Sequence, residues 1–138
     1  MKPQSIRDFE QRYKSWYYAN RSTPDHVQVK TTFRDDTANE LTKLIVAYIK
    51  VHGGFASRLN SMGTYRGDLA KFVRSTQRRG MSDIVATWKG KSLNIEVKIG
   101  RDVMSIHQIK VQNEVRQAGG FYYVAKDFDS FQTWFKQL

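Results

Sequence analysis

Apolar positions along the chain repeat with two different periods, and the alternation between them predicts the elements. Residues 5–19 carry Ile6, Phe9, Tyr13, Trp16 and Tyr17 on one helical face, with Ser5 and Asp8 at capping spacing. Turn formers Asn20, Ser22, Pro24 and Asp25 follow, with a short strand expected around Val27–Val29. From Thr37 the helical signal is strong. Thr37 and Glu40 have the spacing of a capping box, and Leu41, Leu44, Ile45 and Tyr48 fall on one stripe that ends at His52-Gly53-Gly54. Phe55–Asn60 reads as a strand, followed by a long basic connection to Gly80. Asp83–Trp88 and Ser92–Ile99 alternate as strands. Ser105 and Gln108 then open a helix that runs to Gly119-Gly120, Phe121–Ala125 is a short strand, and Phe128–Phe135 closes the chain as an amphipathic helix. From residue 37 the order is helix, three strands, helix, strand, helix. This predicts an α/β domain over 37–138, with 1–36 as an N-terminal extension.

Lys89-Gly90 sets the register of the central hairpin. A two-residue loop there pairs Trp88 with Lys91 and brings Asp83 opposite Glu96, with Lys98 on the same face. Ile84, Ala86, Trp88, Leu93, Ile95, Val97 and Ile99 then all face the other way. Directly opposed side chains lie ~4.5–5.5 Å apart at Cβ, and like charges so placed repel. Either the polar face of an ordinary hairpin accounts for this pair, or a cation sits between the two acids: Lys98, or a hard divalent metal.

Charge changes this picture. The 138 residues carry 23 Lys+Arg against 13 Asp+Glu, a net charge of +10. Residues 55–101 hold +7 of that excess, with only Asp68, Asp83 and Glu96 as acids. Such a block attracts a polyanion through counterion release, nucleic acid ahead of an anionic membrane, because the block is rich in Gly, Ser and Thr and is no amphipathic basic helix. The competing reading is a solvated basic face without a partner. The absence of cysteine excludes disulfides, thiol nucleophiles and cysteine-ligated metal. No apolar run approaches ~18 residues and the start lacks a signal-peptide pattern, so a soluble, intracellular (cytoplasmic) protein is expected.

Taken together, Gly80-Met81-Ser82-Asp83-Ile84, Ile95-Glu96-Val97-Lys98, Ser105-Ile106-His107-Gln108 and Gly119-Gly120 resemble the virus-type replication-repair nuclease family (VRR-NUC) of the PD-(D/E)xK nuclease superfamily. Gly53-Gly54-Phe55 through Arg58-Leu59-Asn60 is similar to the strand before that family's catalytic hairpin. The resemblance spans roughly residues 37–126, and departs at Ser82, where the family often has proline. It implies a restriction-endonuclease-like mixed sheet of about four strands flanked by helices, and Mg²⁺- or Mn²⁺-dependent hydrolysis of DNA. Asp83, Glu96 and the Val97 carbonyl would be metal ligands, with Lys98 beside the attacked phosphate. Glu40 would be an added acid of the metal shell, and Gln108 the glutamine that opens the next helix. Glu40 and Gln108 each have a competing role as the third residue of a capping box.

Arg58, Asn60, Arg66, Lys71, Arg74, Arg78 and Arg79 are the residues expected along the DNA backbone. The resemblance points to an endonuclease selective for branched DNA such as four-way junctions or flaps, and it allows a homodimer. The alternative is a catalytically silent DNA-binding module with the same fold. A basic protein–protein adaptor is a third reading. His26, His52 and His107 have no ligand spacing. Tyr17-Tyr18 and Tyr122-Tyr123 are candidates for base stacking, although packing is the default for aromatics.

Overall fold

Helix α1 (Gln4–Tyr18) begins directly after Pro3, whose extended backbone leads into the first turn. Ser5 therefore lies inside the helix and caps nothing, and Asp8 instead accepts a hydrogen bond from Gln4 at 2.7 Å. The structure is a computed structural model describing residues 1–59, 64–74 and 76–138. No strand forms around Val27–Val29. Asp25–Val27 is a single 3₁₀ turn, and Val27 and Val29 are exposed with no neighbouring strand to pair with.

Helix α2 (Ala38–Val51) is capped by Thr37, whose hydroxyl accepts the Glu40 N–H at 3.2 Å. The main sheet contains β1 (Phe55–Arg58), β4 (Ile84–Trp88), β5 (Lys91–Val97) and β6 (Phe121–Ala125) in the order β1-β4-β5-β6. The first two pairings are antiparallel and the last is parallel, reached through helix α3 (Ile106–Gln117). The fold is thus α/β, with a four-stranded mixed sheet flanked by helices. The expected register of the β4–β5 hairpin is realised: Trp88 pairs with Lys91 and Ile84 with Ile95. Lys89 and Gly90 both have positive φ (47° and 76°), the backbone of a tight two-residue turn whose twist matches its strands.

The basic connection contains structure that its sequence does not announce. Strands β2 (Thr64–Arg66) and β3 (Lys71–Val73) form a separate antiparallel pair. Three residues per strand are too few for alternation to register.

Ile84, Ala86, Leu93, Ile95, Val97 and Ala125 turn one sheet face toward α1, α2 and α4 (Phe128–Phe135). Phe128, Phe131 and Phe135 are almost wholly buried, and the edge of Tyr48 meets all three at 5.4–5.6 Å between ring centroids. Burying each such ring contributes roughly 2–3 kcal/mol.

The N-terminal segment shares this core, with Ile6, Phe9 and Phe33 buried in the same cluster. Glu10, 2 % exposed, ties the segment together: it accepts the Phe33 N–H at 2.7 Å and pairs with Lys2 at 2.6 Å and Lys30 at 3.5 Å. Residues 1–36 are an extension in chain order, but in packing they are part of the domain. Among the described residues, no helix is long and apolar enough to cross a membrane.

Candidate active site

The second face of the sheet is polar, yet Asn94, Glu96 and Lys98 on it are only 9 %, 2 % and 8 % exposed. An ordinary solvated hairpin face is thereby excluded. Helix α3 and Tyr122 of β6 share this side with them, and two devices hold α3 against the hairpin. A Cβ at Gly80 (φ +84°) would overlap the His107 carbonyl, so only glycine lets the loop before Asp83 sit against the start of α3. Arg78 adds a bidentate ion pair to Glu114 on the same helix, at 2.6 and 2.8 Å.

Gln108 resolves the two roles open to it by taking both. Its Oε1 accepts the Ser105 N–H at 2.8 Å while Ser105 Oγ accepts the Gln108 N–H at 3.2 Å, a complete capping box. Its Nε2 then donates to Glu96 Oε1 at 2.6 Å. A glutamate at this position would cap equally well but would aim a third carboxylate at Glu96. The amide is required because its two ends differ.

Asp83 lies at the mouth of β4, half-buried, and its Oδ2 accepts the Val97 N–H at 2.8 Å. Lys98 Nζ lies 3.2 Å from Glu96 Oε1 and 3.5 Å from Asp102 Oδ2. Glu96 Oε1 therefore has two cationic or N–H partners, while Oε2 is buried and has none. Burial, and then the neighbouring Asp83 charge, push the Glu96 carboxyl up to about 7, with Lys98 offsetting part of the rise. Tyr122 answers to the same field. Its hydroxyl is buried without a partner, and burial followed by the charges of Glu96 and Asp83 raises its pKa.

These donors fit a hard divalent cation. A buried carboxylate with one oxygen that no N–H or hydroxyl reaches stands close enough to share a proton with a second carboxylate, Asp83, whose Oδ2 accepts the Val97 N–H. Among the described residues no group of three or more His, Asp or Glu could hold a metal. Asp83 and Glu96 would supply two carboxylates to a magnesium ion, the usual protein share of such an ion at phosphate sites.

Glu40, in the first turn of α2, has its carboxylate 3.5 Å from Lys43 and gives its backbone N–H to the Thr37 cap.

The expected DNA contacts divide. Arg58 is exposed at the end of β1, paired with Ile84 and thus one residue from Asp83. Arg74 and Arg79 are exposed, as is Lys71 on the separate hairpin. Arg66 pairs with Asp68 at 2.6 Å, and Arg78 is taken by Glu114. The charge of these last two is locally neutralised, which the basic count alone does not reveal. Asn60 lies outside the described residues.

Sequence reasoning gave no site role to Ser82, Asn94 or Asp102, and offered Tyr122 only for base stacking. Ser82 is not simply a turn residue: it is buried, and its Oγ donates to the Ile84 carbonyl at 3.0 Å and to Asn94 Oδ1 at 3.4 Å. Asn94 was readable as a site residue, two positions before Glu96 on its face. Tyr122 required the parallel β5–β6 register, in which it pairs with Asn94.

Compared with known proteins, the chain matches no family model, curated protein or solved structure.

Proposed function

We propose that this protein is a metal-dependent endonuclease that hydrolyses DNA phosphodiesters, with branched DNA such as four-way junctions or flaps as its preferred substrate. The observation that carries the reading is the buried Glu96 carboxylate: Gln108 and Lys98 meet its Oε1, no N–H or hydroxyl donor meets its Oε2, and Asp83 lies beside it in the most basic stretch of the chain. A buried oxygen without a donor costs about 1–3 kcal/mol, which a bound cation would recover.

Asp83 and Glu96 would hold Mg²⁺ or Mn²⁺, with the Val97 carbonyl at the same strand end. When bound, the ion supplies Lewis-acid polarisation of the phosphate and a water of lowered pKa. Gln108 fixes Oε1 of Glu96 and so leaves Oε2 turned to its task. Lys98 is ion-paired with Glu96 and Asp102, and its ammonium, with three donors, can also meet a phosphate oxygen. Water attacks phosphorus, the bond to the leaving oxygen breaks, and a proton passes to that oxygen. The exposed Arg58, Arg74 and Arg79 hold the flanking backbone without reading sequence. DNA is the partner, and two copies acting together would cut paired strands.

The test is cleavage of labelled linear, flapped and four-way DNA with Mg²⁺ or with EDTA. Cutting is expected only with Mg²⁺, and Asp83→Asn or Lys98→Ala should abolish it. The reading falls if no substrate is cut, or if either variant cuts like wild type. Tight binding without cutting would favour the silent DNA-binding module.

A further inference from the structure

Away from the hairpin, α1 carries a column of aromatic rings from the core to solvent. Phe33 is buried, Tyr13 meets it edge-on at 5.1 Å, and Tyr13 in turn contacts Trp16 at 5.6 Å and Tyr17 at 6.0 Å. The outer two rings are 43 % and 37 % exposed. Hollows flank them on two sides. One groove of about 400 Å³ runs between α1 and α2 to Arg58, and a second hollow of about 360 Å³ lies between Trp16, Tyr17, Asn20 and Arg21. Among the described residues, the larger groove is lined by Arg21, Lys43, Lys50 and Arg58 and by no acid. Lys43 shares its charge with Glu40, and the Arg21 guanidinium lies 4.0 Å over the Tyr17 ring.

Exposed rings braced from behind and bordered by cations suit a particular occupant. A base stacks on an open aromatic face such as that of Trp16, or on the Arg21 guanidinium that already lies over Tyr17, and its phosphate seeks the neighbouring cations. An acidic peptide would use the charges but leave the rings idle. Arg58 lines the groove and pairs with core-facing Ile84, so the groove opens on the α1–α2 face of the sheet, at the edge strand next to the one that Asp83 precedes. We propose that Trp16 and Tyr17, with Arg21, Lys50 and Arg58, form a subsite for unpaired nucleotides that receives a single-stranded flank of the substrate. This rests on the nuclease reading for the identity of that substrate, but its test does not.

Binding of fluorescein-labelled oligo-dT is measured in EDTA, with Trp16→Leu and Tyr17→Leu each checked for an unchanged circular dichroism spectrum and Tm. Each variant is expected to weaken oligo-dT binding at least about fivefold, while binding of blunt duplex changes by less than twofold. Arg58→Ala, which keeps both rings, should weaken oligo-dT binding and reduce its salt slope by about 0.7. The proposal is overturned if wild type does not bind oligo-dT, if the leucine variants bind it like wild type, or if duplex and single strand weaken equally. It is also overturned if poly-glutamate displaces oligo-dT as well as unlabelled oligo-dT does. Cutting without ring-dependent binding removes the subsite and leaves the nuclease. Ring-dependent binding without cutting does the reverse.

Discussion

Replacing Glu96 by glutamine would isolate the electrostatic tension at the hairpin. In the metal-free chain, burial first and Asp83 second raise this carboxyl from 4.5 to about 7. At roughly 1.4 kcal/mol per pH unit, that displacement costs the ionised folded state about 3 kcal/mol. Because the folded pKa is raised, the stability held by the protonated acid is fully present below pH 4.5. It is lost as pH rises through 7. Glutamine stays neutral throughout and keeps a carbonyl to accept the Gln108 amide. In EDTA, urea denaturation followed by tryptophan fluorescence should place the variant within about 1 kcal/mol of wild type at pH 4.5, and about 3 kcal/mol above it at pH 8. Adding Mn²⁺ at pH 8 should raise the Tm of wild type and leave the glutamine variant unmoved, since only a state that binds the ion is stabilised. A variant no more stable than wild type at pH 8, or equally displaced at both pH values, would refute the account of Glu96 as a strained, buried anion.

Three further outcomes follow from contacts around the same centre. Gln108→Glu keeps the helix cap but sets three carboxylates together, so NMR titration should find Glu96 above its wild-type value, and a lower value would break the assignment of Nε2 to Glu96. Gly80→Ala should lower stability by at least about 1 kcal/mol, through the left-handed backbone alone, before any overlap with His107; an unchanged Tm would mean that the loop does not rest on α3. Arg79→Ala should flatten the slope of log DNA affinity against log salt by about one, whereas Arg78→Ala should flatten it less because Glu114 already neutralises Arg78; the reverse order would move the DNA face.

Local signals made most of the fold legible. The Lys89-Gly90 turn sets the hairpin register, and Thr37 and Ser105 announce their helices, because each depends on residues within four positions of one another. What escaped depends on distance. That Phe9 and Phe33 belong to the core follows from α1 lying against α2 and α4, which no periodicity within residues 1–36 encodes. Within the site, the facing of Asp83 and Glu96 was legible from strand alternation, but their burial was not. Burial comes from α3 and Tyr122, brought across by a parallel crossover.

The Glu10 clasp gives the molecule a second acid that reads pH in the opposite sense. Burial raises the Glu10 carboxyl, but the Lys2 hydrogen bond, the Phe33 N–H and the charges of Lys2 and Lys30 together outweigh it and hold its pKa below the usual value. Its contribution is therefore present above pH 4.5 and is lost as acid protonates it. Glu96 loses stability in the other direction, from 4.5 upward. Without metal, acid loosens the layer that carries Trp16 and Tyr17 while relaxing the hairpin, and a rise through pH 7 strains the hairpin while leaving the Glu10 clasp as it was. Protons alone would thus unfasten the two surfaces in turn, each at its own end of the pH scale.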